Sequence, residues 1–362
     1  MKLFLKIAIF SFVLVSLAML YLEVRSGRTE PFKDSSGEII EGSIAALEKV
    51  ELGGMEQWIL IRGENKDNPV LLWLHGGPGA AQMPTARHFN GNLEAEFIVV
   101  HWDQRGAGKS NPPDFDETTM TVNQYIEDTI ELTRYLKARF SREKIYLLGH
   151  SWGSQIGILA AATNPEHYYA YIGVSQLVDP HRSQELAYQW LLEIMKNASN
   201  RKDLETLDRL GPPRYLDHAD YVEFAGLIDK YGGNMDVSFG NLTLVALQSP
   251  EYKLRDYYYW LQGATRGSGP MWEESQAFNL FQAVAEIDIP VYFFSGANDF
   301  NTPLSLVEEY LAYLEAPAGK EVVVFSNSAH TPFMAEPEHF FQEMKRVKNE
   351  TYQNSFEVKH DD

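Results

Sequence analysis

Ile145-Tyr146-Leu147-Leu148-Gly149-His150-Ser151-Trp152-Gly153 is the stretch that decides the fold. A short apolar run, the signature of a buried strand, gives way to a Gly-x-Ser-x-Gly pattern and then to small residues over 154–163 that predict a helix. The reading is strand, sharp turn, helix. A serine at such a corner has strained backbone, so the residues two before and two after it must be nearly without side chain for strand and helix to approach. Ser151 then projects from the top of a sheet. Its hydroxyl is a weak nucleophile alone, and it needs a base to take its proton and a third group to orient that base. The bland alternative is a chance glycine-serine turn, so the reading depends on the rest of the chain.

Working outward, Val70-Leu71-Leu72-Trp73-Leu74 is a continuous apolar run of the kind buried on both faces of a sheet, and it ends in His75-Gly76-Gly77-Pro78-Gly79. Bare backbone N–H groups at a strand end can point at a developing oxyanion, with the N–H of Trp152 as the partner donor. A phosphate cradle would need a Gly-Lys-Ser/Thr ending, which this loop lacks. Residues 97–100 read as another buried strand leading to Asp103-Gln104-Arg105-Gly106, where Asp103 and Arg105 are expected to fix loop shape. Residues 121–139 carry apolar positions at helical spacing, and 168–174 read as the strand after the nucleophile helix. Strands alternating with helices predict a mostly parallel sheet covered on both faces, with the loops at Gly77, Asp103 and Ser151 along one edge.

Over residues 179–285 the alternation stops, and helical patterns with aromatic clusters such as Tyr257-Tyr258-Tyr259-Trp260 take over. This segment is expected to be a helical cap over the site, with most of its aromatics serving as ordinary core. Strands resume at 289–294, followed by Asp299, and at 320–325, followed by His330. An acid after one strand and a histidine after the next can reach the edge that carries Ser151. Asp288 precedes its strand and so lies at the wrong end, while His75 and His150 are expected to shape loops. The chain order Ser, Asp, His is that of α/β-hydrolases.

The chain carries 31 basic and 50 acidic residues, a net charge of -19 over 362 residues, which argues against nucleic acid as a partner. It has no cysteine, so disulfides, thiolate metal sites and a cysteine nucleophile are excluded together. Residues 3–22 are apolar apart from Lys6, Ser11 and Ser16, long enough to span a bilayer, with no small-x-small cleavage site well placed. The expectation is an uncleaved single-pass membrane anchor with the catalytic part outside; secretion after signal cleavage is the alternative. The domain plan is therefore 1–35 anchor and linker, 36–178 first part of the core, 179–285 cap, and 286–362 second part of the core.

Together these segments resemble the α/β-hydrolase superfamily, and within it the proline iminopeptidase group of serine peptidases. The resemblance rests on His75-Gly76-Gly77-Pro78-Gly79, Asp103-Gln104-Arg105-Gly106-x-Gly108-x-Ser110, Gly149-His150-Ser151-Trp152-Gly153-Ser154, and Gly296-x-x-Asp299 with His330. It implies an α/β fold with a cap, a catalytic Ser151, Asp299 and His330, and an oxyanion hole from Gly77 and Trp152. It also implies aminopeptidase action through an acyl-enzyme on small peptides, without metal or organic cofactor. In that group cap acids hold the substrate ammonium. The segment Trp260-Leu261-Gln262-Gly263-Ala264-Thr265 resembles a cap segment that bears a glutamate, where this chain has Gln262; Glu185, Glu273 and Glu274 are the candidate substitutes. Without such a carboxylate, a carboxylesterase or lipase-like acyl hydrolase on the same residues becomes the alternative. A scaffold with idle catalytic residues is the third reading, and an aspartate-nucleophile enzyme is excluded because residue 151 is serine.

Overall fold

The computed structural model describes residues 2–25, 27–196, 200–215 and 217–357. Its centre is one eight-stranded sheet: β1 (Ile44–Leu52), β2 (Met55–Gly63), β3 (Val70–Leu74), β4 (Ile98–Asp103), β5 (Ile145–His150), β6 (Tyr168–Val174), β7 (Val291–Gly296) and β8 (Lys320–Phe325). Their spatial order is β1-β2-β4-β3-β5-β6-β7-β8. The first two strands form a hairpin through Gly53-Gly54, both at positive φ as a two-residue turn requires, and β2 pairs antiparallel with β4. From β4 to β8 every pairing is parallel. All carboxyl ends of these strands therefore lie along one edge, where ligands bind in open α/β sheets.

The period-two alternation of side chains divides the apolar runs between two cores. Val70, Leu72, Ile145, Leu147, Val291 and Phe293 pack on the face covered by the helices Val122–Phe140, Trp152–Thr163 and Leu304–Tyr313. Leu71, Trp73, Tyr146, Leu148, Tyr292 and Phe294 pack on the other face, against Phe340, Met344 and Val347 of the helix Pro337–Glu357. Burial on both faces explains why these strands read as continuous hydrophobic runs. Thr121 caps the helix Val122–Phe140, its hydroxyl accepting from the Gln124 N–H.

Between β6 and β7 the chain forms helices Pro180–Lys196, Arg201–Leu210, His218–Lys230, Phe239–Ala246, Leu254–Arg266, Trp272–Gln276 and Leu280–Ala283. The first three share a small core of their own around Leu191, Leu207, Phe224 and Ile228. Tyr257 and Trp260 instead pack with Ala81, Met83 and Ala107 on the sheet side, and the Trp260 indole N–H donates to the Ala81 carbonyl at 2.8 Å. That part of the aromatic cluster is packing.

At the amino terminus the helix Lys2–Arg25 includes a window, Phe4–Tyr21, with mean hydropathy 2.2 and none of it buried against the rest of the protein. It is long and apolar enough to cross a membrane.

Candidate active site

Ser151 lies between β5 and its helix at φ 55°, ψ -119°, a strained position for a residue with a side chain. Two glycines make the corner possible. A Cβ on Gly149 would overlap the Gly153 carbonyl, and one on Gly153 would overlap the carbonyl of Leu74 on the neighbouring strand. The Ser151 N–H is held by the Val174 carbonyl at 3.0 Å, which locks the turn to β6.

Asp299 follows β7 and His330 follows β8, and the two are joined: His330 Nδ1 lies 2.8 Å from Asp299 Oδ2. The carboxylate is fully occupied. Its Oδ1 accepts the Asn301 and Thr302 N–H groups, each at 2.8 Å, and its Oδ2 also accepts the Thr302 hydroxyl at 2.6 Å. Burial pushes the Asp299 carboxyl up, but the adjacent His330 and the Thr302 hydrogen bonds outweigh it and hold the group below its ordinary value. Asp299 therefore stays an anion beside the imidazole.

The other imidazole nitrogen has a partner that sequence reasoning missed. His330 Nε2 lies 3.2 Å from the Asn301 side-chain nitrogen, and the Asn301 Oδ1 accepts from the Tyr221 hydroxyl at 3.1 Å. This fixes the tautomer with the proton on Nδ1 and a lone pair on Nε2. Among the described residues no hydrogen bond joins the Ser151 hydroxyl to His330. Ser151, Gly77, Trp152, Asn301, Thr302 and Tyr221 all line one cavity of about 90 Å³. Asp299 and His330 sit behind that wall, 2% and 3% exposed. Among the described residues neither the Gly77 nor the Trp152 backbone N–H donates to a protein acceptor.

The fold and this constellation agree with the sequence profile of the alpha/beta hydrolase fold, which matches residues 69–337. The chain belongs to the α/β-hydrolase family. This hydrolase is 37% identical over 313 residues to a protein of Bacillus subtilis named probable aminopeptidase YbaC, covering 84% of this chain and 96% of that one. It is 25% identical to a proline iminopeptidase of Heyndrickxia coagulans, covering 76% of this chain and 89% of the relative. The proline iminopeptidase-related protein of Thermus thermophilus shares the fold with a TM-score of 0.59 at 21% identity, covering 85% of this chain and 98% of the other.

The loops around the site of this hydrolase are fastened by neutral histidines. His75 Nδ1 faces the Gly76 carbonyl at 2.7 Å while its Nε2 accepts the Gln104 N–H at 3.1 Å, tying the glycine loop to the loop after β4. His150 Nε2 donates to the His330 carbonyl at 2.9 Å, and its Nδ1 takes the Gln82 amide at 3.0 Å. Burial depresses His75 to about 4 and His150 to about 3, so both serve as uncharged struts near neutral pH. Arg105 pairs with buried Asp128 and reaches the Leu52 and Gly53 carbonyls, bracing the same region.

The segment between β6 and β7 also builds the site from outside the sheet. Asp236 accepts the Ala329 and Thr331 N–H groups at 2.7 and 2.8 Å and the Thr331 hydroxyl at 2.9 Å, clamping the residues on either side of His330. The Asn234 carbonyl holds the His330 N–H at 2.9 Å, and the Gly233 carbonyl holds that of Phe300 at 2.8 Å. No spacing in the sequence signals Asn234 or Asp236. The expected ammonium-binding acids are elsewhere: Glu185, Glu273 and Glu274 are exposed, Glu274 accepts the Val122 N–H, and Gln262 bonds the Tyr258 hydroxyl. None of these residues lines the cavity.

Proposed function

We propose that this hydrolase is an aminopeptidase of the proline iminopeptidase type, acting through an acyl-enzyme on Ser151. The observation that carries this reading is the hydrogen bond between Asp299 and His330, at the same sheet edge as Ser151 and two backbone N–H groups without protein acceptors. Its relatives named aminopeptidase and proline iminopeptidase support the peptide substrate. In this mechanism Ser151 attacks the scissile carbonyl while His330 Nε2 takes its proton, and Asp299 orients the imidazole and stabilises its charged form. Gly77 and Trp152 N–H groups receive the oxyanion. His330 then protonates the leaving amine, and water releases the acyl group. For the first proton transfer the Asn301 amide must yield Nε2 to the serine.

Residues 179–285 serve as the cap, and the narrow cavity beneath them favours a compact acyl group. The helix Lys2–Arg25 serves as a membrane anchor that places the catalytic part outside the cytoplasm. Ser151→Ala should abolish turnover of proline p-nitroanilide and labelling by a fluorophosphonate while the melting temperature is retained; turnover equal to that of the unmodified chain refutes the assignment. A carboxylesterase is the second reading, and one observation favours it: among the described residues no carboxylate lines the cavity. A panel of amino-acid anilides against p-nitrophenyl esters separates the two.

A further inference from the structure

The imidazole nitrogen that takes the serine proton later hands it to the leaving amine. A resting partner of His330 Nε2 other than Ser151 therefore stands beside the leaving group. That partner is the Asn301 amide, whose nitrogen lies 3.2 Å from Nε2. Its other end is pinned from the inserted helices: Tyr221, on the helix His218–Lys230, donates its hydroxyl to Asn301 Oδ1 at 3.1 Å. Tyr221, Phe300 and Asn301 are half-buried and line the same cavity as Ser151.

Proton transfer reverses the role of Nε2. Once it holds the Ser151 proton it is a donor, and it then faces an NH2 group that also only donates. Turning the amide over would offer Oδ1 to the imidazolium, but the Tyr221 hydroxyl holds that oxygen on the far side. Among the described residues the Asn301 amide nitrogen has no second acceptor. The substrate must supply one, because a donor left without a partner away from water is costly. A peptide carries it in the right place: the carbonyl of the residue after the scissile bond lies roughly 3 Å beyond the leaving nitrogen, one N–Cα–C link away. An arylamine or an alcohol has no acceptor there.

The rest of a leaving peptide also has a path. Phe300 lines the reaction cavity and, with Gln189, Trp190 and Glu193, a second groove of about 660 Å³ along the helix Pro180–Lys196. Trp190 stacks on Phe300 with ring centroids 4.0 Å apart and planes inclined by 10°. The turn that follows the Tyr221 helix braces this stack. Its Gly233 carbonyl holds the Phe300 N–H at 2.8 Å, and a Cβ on Gly233 would overlap the Trp190 ring.

Resting on the aminopeptidase reading above, we propose that Asn301 and Tyr221 form the subsite for the leaving residue, whose backbone carbonyl accepts from the Asn301 amide, and that the peptide beyond it passes over Phe300 into the groove beside Trp190. Tyr221 keeps the donor end of Asn301 turned toward the substrate. The preferred substrates are then peptides cleaved after their first residue, ahead of arylamides or esters of the same acyl group.

The test uses the full chain in detergent and two substrates: prolyl-glycinamide, whose leaving group carries the carbonyl, and proline β-naphthylamide, whose leaving group has no acceptor. Each variant is compared with the unmodified chain on the same substrate, which cancels the intrinsic reactivity of the two amides. Tyr221→Phe removes one oxygen and frees the Asn301 amide to turn over. The kcat/KM ratio of glycinamide to naphthylamide should then fall roughly two- to tenfold, the worth of one neutral hydrogen bond. Asn301→Ala should lower the ratio by a similar factor, and a thermal melt reports whether each variant is folded. A ratio that either folded variant leaves unchanged or raises overturns the proposal while leaving the aminopeptidase reading intact. Turnover of p-nitrophenyl esters by the unmodified chain, with neither prolyl substrate cleaved, overturns both.

Discussion

Replacing Asp299 with asparagine exchanges one carboxylate oxygen for an NH2 group, and the surrounding donors dictate where that group goes. Oδ1 receives two backbone N–H groups, from Asn301 and Thr302, that cannot turn away. The amide oxygen must therefore take that side. The NH2 is left facing His330 Nδ1 and the Thr302 hydroxyl, where the carboxylate accepted at 2.8 and 2.6 Å. To accept from this new donor the imidazole must move its proton to Nε2, and a protonated Nε2 cannot take the proton of Ser151. The loss expected from a wrong tautomer is roughly 10⁴-fold in kcat, or about 5.5 kcal/mol in the barrier. Because the hydroxyl of Thr302 can rotate to donate elsewhere, the fold should tolerate the change. Asp299→Ala differs: it strands two backbone donors, each at a cost of about 1–3 kcal/mol, and should lower the melting temperature as well. The assay is kcat on an activated anilide and the rate of fluorophosphonate labelling, with a thermal melt of each variant. A kcat for Asp299→Asn within tenfold of the unmodified chain, with an unchanged melt, would falsify the tautomer argument.

Asn301→Ala frees the Nε2 lone pair, and fluorophosphonate labelling of the resting enzyme should accelerate roughly two- to tenfold, the worth of one neutral hydrogen bond; slower labelling shows that the amide is needed to orient the ring. Asp236→Ala removes the clamp on the His330 loop, and kcat should fall by at least about tenfold, as expected when a catalytic group drifts by a fraction of an ångström; a normal kcat in a folded variant sinks that role. Asp103, buried with one oxygen unpartnered, is raised from 3.8 to about 7 by burial, against the opposing bonds from Tyr252 and the Lys109 N–H. The folded state then binds more protons than the unfolded one between those values, so this group costs stability as pH rises through that window and adds no further loss above about 7. Relative to Asp103→Asn, the unmodified chain should lose up to about 4 kcal/mol between pH 4 and pH 8, read from urea midpoints at the two pH values; a difference that stays flat contradicts the raised value.

Much of this molecule is legible in one dimension because its signals are local. The runs 70–74, 145–150 and 168–174 are apolar on both faces, and burial in a parallel sheet requires that pattern wherever the chain goes. The glycines around Ser151 announce a corner that tolerates no side chain, and the positions of Ser151, Asp299 and His330 just after β5, β7 and β8 place them on one edge by topology alone. The first hairpin is legible too, through Gly53-Gly54.

Tertiary structure decided what depends on contacts between distant segments. Asn301 has no motif of its own, and only the packing of the helix His218–Lys230 against the loop after β7 brings Tyr221 to its amide and its amide to His330. Asp236 reads as one of fifty acidic residues until folding sets it among the donors of the His330 loop. The cap acids expected to meet a substrate ammonium fall on exposed helix faces, because each helix buries its apolar stripe and leaves such charges to water. Sequence determined the sheet and the order of the candidate site residues along its edge, since backbone sterics and hydrophobic periodicity act over a few residues; the docking of the helices between β6 and β7 determined the chemistry of the cavity wall, since that depends on which residues meet across the whole chain.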